Sequence, residues 1–122
     1  DATVPRSKVP DIVREIQRIA AKYQLSIPTL GHTGDGNMHP NILVQTRDEE
    51  EMKRVDAAID EIFRAALDLG GTLSGEHGVG LAKQKYMDWE FNKPSLDMMR
   101  AIKKAVDPNN ILNPGKIFLR GE

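Results

Sequence analysis

From Val9 to Tyr23 apolar residues return at three- and four-residue intervals (Val9, Ile12, Val13, Ile16, Ile19, Ala20, Tyr23), which predicts an amphipathic helix running to about Gln24. Ser7 is the candidate N-cap. Pro10 falls in the first turn, where no internal amide bond is lost. Residues 25–30 and 41–45 are rich in aliphatic and β-branched side chains and predict strands on either side of a glycine-rich turn, paired as a hairpin or lying as neighbours. Asp48 and the three glutamates after it suit a helix N-terminus, and Met52, Val55, Ile59, Ile62, Phe63 and Ala66 continue at helical spacing until Gly70 and Gly71 end the run. Residues 71–74 read as a short strand, and residues 81–85 as a helix start after Gly78-Val79-Gly80. Pro94 suits the first position of a last helix, with Leu96, Met99, Ile102 and Val106 expected inward before Asp107-Pro108 stops it. The order of elements predicts an α+β fold, with helices packed on a small antiparallel sheet and a helical C-terminal end.

Composition narrows what such a fold can do. The 122 residues suit one domain with a modest core. Seventeen basic against eighteen acidic side chains leave a net charge of -1, too little field for a nucleic-acid or anionic-membrane partner. No apolar run approaches the roughly 18 residues of a membrane span, and no secretory leader pattern opens the sequence, so a soluble chain is expected. Cysteine is absent, which excludes a disulfide framework and leaves His, Asp and Glu as the side chains able to hold a metal.

All three histidines lie in two short glycine-rich segments. In Gly31-His32-Thr33-Gly34-Asp35-Gly36-Asn37-Met38-His39, two histidines flank a sharp turn that can bring their imidazoles together. In Ser74-Gly75-Glu76-His77-Gly78, a carboxylate and an imidazole are adjacent on a chain freed of side-chain bulk, where a ligand can approach. Two imidazoles and one carboxylate are a common set for a divalent metal with open coordination positions, and His32, His39 and Glu76 can supply it. The bland alternative is that these histidines are hydrogen-bonded structural residues. Asp35-Gly36-Asn37 lacks the later ligands of a calcium loop, and the glycines at 78 and 80 lack the Gly-Lys-Ser/Thr order of a nucleotide loop.

The strings GHTGDGNMHPN, GGTLSGEHGVGLAK and ILNPGK, in this order with helices between them, resemble the C-terminal signature of the FAD-linked oxidases of the vanillyl-alcohol-oxidase superfamily. Within it, the likeness is to the glycolate oxidase D-subunit, D-lactate dehydrogenase and D-2-hydroxyglutarate dehydrogenase. The opening VPRSKVPDIVREIQ also fits, so the resemblance covers nearly the whole chain.

The resemblance implies that residues 1–122 are the C-terminal part of such an enzyme, half of a ferredoxin-like cap domain, with the FAD-binding domain absent. It implies oxidation of a small 2-hydroxy acid to the 2-oxo acid by hydride transfer to FAD, by the longer protein and not by this fragment alone. Carried over by position, the metal ligands are His32, His39 and Glu76, the catalytic base is His77, and Asn41 contacts substrate. Asn113 and Lys116 belong to a terminal segment near the flavin, although Asn-Pro-Gly also simply makes a turn. The resemblance leaves zinc, manganese and iron open as the metal, and some members of the family have none demonstrated. The expected partners are the substrate, the FAD-binding domain of the same protein and, through uncovered apolar faces, other copies of the chain. A cytoplasmic location is implied, with the inner-membrane periphery as an alternative for the full-length enzyme. The competing readings are a small metal-dependent hydrolase, using the same three ligands to activate water, and a metal-binding structural module.

Overall fold

A computed structural model describes residues 1–118. The chain divides into two compact units, Asp1–His77 and Gly78–Glu122.

In the first unit a short strand β1 (Ala2–Thr3) leads through a 3-10 turn at Arg6–Lys8 into helix α1 (Val9–Tyr23); strands β2 (Thr29–His32) and β3 (Asn37–Pro40) follow, then helix α2 (Glu49–Asp68). The sheet is antiparallel with order β1-β3-β2. Its register pairs Ala2 with Met38 and Thr3 with Asn37 on one side of β3, and Gly31 with Met38 and His32 with Asn37 on the other. Because side chains alternate along a strand, Ala2 and Met38 share one face, and Thr3, Asn37, His32 and His39 share the opposite one. The first face is the core side. Ala2 and Met38 pack there with Val4, with Ile12, Ile16 and Ile19 of α1, and with Ala58, Ile62 and Ala66 of α2. The apolar stripes of both helices therefore do what their spacing predicts, except at Met52, which is exposed.

The entry to α2 is built as a reciprocal cap. The Asp48 carboxylate accepts from the Glu51 N–H at 2.8 Å, while the buried Glu51 carboxylate reaches back to accept from the N–H groups of Gln45, Thr46 and Arg47. Those bonds, from Gln45 and Arg47 above all, hold the Glu51 carboxyl down at about 2 from its usual 4.5.

Several local expectations are corrected. Ser7 does not cap α1: it lies inside the 3-10 turn, and Lys8 takes the N-cap position without a side-chain hydrogen bond. The strands are shifted from residues 25–30 and 41–45: β2 overlaps the first run only at Thr29 and Leu30, and otherwise the two runs meet through the isolated bridge Ser26–Leu43 and the Asn41 N–H, which donates to the Pro28 carbonyl at 2.9 Å. The glycine-rich segment itself is the hairpin, because Gly36, at φ 77°, closes the turn at residues 33–36 and sends both histidines into strands. Residues 71–74 contribute one bridge, Thr72 to Thr3, in place of a strand.

The second unit has a 3-10 turn at Gln84–Tyr86, so the helix expected over residues 81–85 starts later, as the single turn α3 (Met87–Glu90). Helix α4 (Lys93–Val106) is capped by Asn92, whose side chain accepts from the Ser95 N–H at 3.0 Å. Only part of its expected inward face is covered: Leu96 and Met99 are half-buried, but Ile102 and Val106 are 58% and 71% exposed, and no residue of α4 is fully buried. Asp107 ends the helix. Its carboxylate is held down first by Lys103 and accepts from the N–H groups of Ile111 and Leu112, which folds the chain back.

Candidate functional site

The hairpin and the segment after α2 meet on the sheet face away from the core. On that face Glu76 Oε1 lies 3.1 Å from His39 Nε2 and 3.3 Å from His32 Nε2. The two imidazoles meet edge-on with centroids 5.3 Å apart. Neither histidine came to this face by chance of turn geometry alone: the register sets His32 opposite Asn37, two residues from His39, so the two are diagonal neighbours across β2 and β3. The three ligand atoms all lie within 4.8 Å of one another.

That spacing fits a metal ion. Ligand bonds of about 2.1 Å at tetrahedral angles put neighbouring donor atoms about 3.4 Å apart, close to both carboxylate–imidazole distances. The other ring nitrogen, His39 Nδ1, is buried without a hydrogen-bond partner among the described residues.

Two residues outside the expected site hold the carboxylate in place. The buried Asn37 donates from Nδ2 to the same Glu76 Oε1 at 3.0 Å, and its Oδ1 accepts from the Thr3 hydroxyl at 2.9 Å. The hydroxyl and the carboxylate together fix which way the amide faces, since a flipped amide would set two oxygens against each other. Gly75 makes room for this chain of bonds: a Cβ there would overlap the Thr3 hydroxyl and stand 2.9 Å from Asn37 Oδ1. Asn37 sits within the first glycine-rich segment, and its position in the motif was the only signal available for it. Thr3, 73 residues from Glu76 along the chain, gave none.

His77 is placed differently from its neighbour. Its ring stacks on His39 with centroids 5.0 Å apart and planes 17° from parallel, and its Nδ1 faces Asp1 Oδ1 at 3.7 Å. Asn41 is exposed and donates from Nδ2 to the His39 carbonyl at 3.0 Å, which tethers it beside the cluster through the backbone of β3's last residues. Asn113 and Lys116 are in the second unit, in a turn where the Lys116 N–H approaches the Asn113 carbonyl at 3.4 Å; Asn113 has φ 47°. Gln84 secures this turn by donating to the Gly115 carbonyl at 2.6 Å.

Comparison with known proteins adds to this geometry. A family described as FAD linked oxidases, C-terminal domain, matches residues 1–117. The glycolate oxidase subunit GlcD of Bacillus subtilis is 52% identical over 120 residues, covering 98% of this chain and 26% of that protein. A probable mitochondrial D-lactate dehydrogenase of Danio rerio is 36% identical over 97% of the chain and 24% of its own length. The D-2-hydroxyglutarate dehydrogenase of Stutzerimonas stutzeri is 37% identical over 97% of the chain and 26% of its own length. The chain thus spans about a quarter of the length of the curated relatives it matches.

Proposed function

The chain belongs to the C-terminal domain family of FAD-linked oxidases, and from that premise we propose that it supplies the substrate- and metal-binding part of a flavoenzyme that oxidises a small 2-hydroxy acid to the 2-oxo acid. The observation that carries the reading is the convergence of His32, His39 and Glu76, with the His77 ring stacked on His39. His32 and His39 through Nε2, and Glu76 through Oε1, would hold a divalent zinc, manganese or iron ion. When bound, such an ion would supply Lewis-acid stabilisation at the substrate's hydroxyl and carboxylate oxygens, and FAD, bound mainly by the region of the protein outside this chain, would supply the hydride acceptor.

The side chains account for the rest. Forming the C=O bond requires the hydroxyl proton to leave as the C2 hydride departs with its electron pair. His77 takes that proton at Nε2, the ring nitrogen not directed at Asp1. Asn41, tethered by its Nδ2, offers Oδ1 to the substrate. Asn113 and Lys116 lie toward the flavin in this reading.

The test is anaerobic reduction of the flavin. The full-length protein mixed with glycolate or D-lactate should bleach its flavin absorbance and release the 2-oxo acid. Hydrolysis of an ester or amide by the metal-loaded protein, with the flavin unchanged by every 2-hydroxy acid, would establish the hydrolase reading instead.

A further inference from the structure

We propose that Asp1 is a positioning residue that shapes the segment carrying both Glu76 and His77. The inference deepens the function proposed above and rests on it. The Asp1 side chain is fully buried. One of its oxygens, Oδ2, accepts from three consecutive backbone N–H groups: Gly75 at 2.9 Å, Glu76 at 2.8 Å and His77 at 3.2 Å. The other, Oδ1, accepts from the Ser74 hydroxyl at 3.5 Å and faces His77 Nδ1 at 3.7 Å.

Three successive N–H groups can point at one oxygen only if the chain curls around it, as it does around a bound anion. The curl has a consequence for the site. In an extended segment neighbouring side chains leave on opposite sides, which would send Glu76 and His77 apart. Curled around Asp1, the segment lets the Glu76 carboxylate reach both imidazoles of the hairpin while the His77 ring still lies against His39. Hydrogen bonds to an ionised carboxylate are roughly twice as strong as those between neutral groups, so the hold is firm.

Asp1 is itself well placed to act as a reference point. It immediately precedes β1, which pairs with β3, the strand bearing His39, and which also bridges to Thr72 just before the curled segment. The carboxylate therefore ties residues 75–77 to the same sheet that carries the histidines. Asp1 touches neither metal nor substrate in this scheme.

The experiment uses the full-length flavoprotein, stripped of metal, with zinc ion as the probe because it binds such sites more tightly than manganese or iron. Zinc affinity is measured by competition with a chromogenic chelator for the wild type, Asp1→Ala and Asp1→Asn, beside flavin content and kcat. Asp1→Ala should weaken zinc binding about 10- to 100-fold and lower kcat, with flavin content unchanged. Asp1→Asn keeps one acceptor oxygen without the charge and should fall between, at least about threefold weaker than wild type. Should the alanine variant fail to fold, the asparagine variant decides alone. Zinc binding by Asp1→Asn within threefold of a zinc-binding wild type would overturn the role of Asp1 and leave the metal site standing. A wild type that binds no zinc would remove both.

Discussion

Glu76 and His77 are adjacent in sequence, yet they face different partners: the Glu76 carboxylate closes on the Nε2 atoms of His39 and His32 at 3.1 and 3.3 Å, whereas His77 Nδ1 faces Asp1. Under the proposed function they have different tasks, ligand and base. In the full-length enzyme, Glu76→Ala should release metal and lose activity together. His77→Ala should keep the metal and lose mainly turnover, by about 10²–10⁴-fold if general-base catalysis is what is removed. Elemental analysis beside steady-state rates checks both, and metal loss in His77→Ala equal to that in Glu76→Ala would move His77 into the coordination sphere.

Gly75 is required by close approach. A methyl group at this position would press on the Thr3 hydroxyl and the Asn37 amide, the pair that orients Glu76. Gly75→Ala should therefore weaken metal binding about 10- to 100-fold while every ligand is still present. Unaltered metal affinity in a folded Gly75→Ala protein would show that the Thr3–Asn37–Glu76 chain of bonds does not set the carboxylate's position.

Much of this architecture was legible in the sequence, for identifiable reasons. Helices α1 and α2 bury one continuous face in a single core, so the spacing of Ile12, Ile16 and Ile19 and of Val55, Ile62 and Ala66 reports it directly. The strands were misplaced because one face of the hairpin carries His32, Asn37 and His39 and not core residues. The hairpin's buried apolar side chain, Met38, lies on the other face. Apolar periodicity gave α4 as a helix but could not say which surface covers Ile102 and Val106, and among the described residues none does. The candidate ligands stood out because histidine is scarce and glycine crowds around it. Asp1 and Thr3 did not, since their partners lie more than 30 positions away and only the sheet brings them together.

Glu51 should impose an acid limit on the first unit. Its carboxyl is held at about 2 in the folded chain by the N–H groups of Gln45, Arg47 and Thr46, against a usual 4.5. A depressed pKa contributes stability that is fully present above the unfolded value and lost as pH falls through the folded one. The melting temperature should therefore drop between about pH 5 and pH 2, and Glu51→Gln should melt lower than wild type at pH 7, with the gap closing across that same window. Parallel melting curves at all pH values would show that these bonds do not contribute.

Metal removal gives the broadest test of the site. Chelation should abolish turnover of the full-length protein while leaving its flavin bound, because the three ligands come from this chain and the flavin is assigned mainly to the region outside it. Since the ion would bind the folded hairpin and not the unfolded chain, it should also stabilise the fold, by about 2.7 kcal/mol at a hundredfold excess over Kd. The melting temperature should rise on adding back zinc, manganese or iron, and the ion that restores turnover at the lowest concentration identifies the working metal. In a protein whose His32 is replaced by alanine, the same additions should give little thermal shift. That comparison matters because a divalent ion could also bind the exposed carboxylates of Glu49 and Glu50 and raise the melting temperature without touching the site. Full turnover by chelated protein, verified metal-free by elemental analysis, would mean that His77 and the flavin suffice and that the His32–His39–Glu76 cluster serves the fold alone.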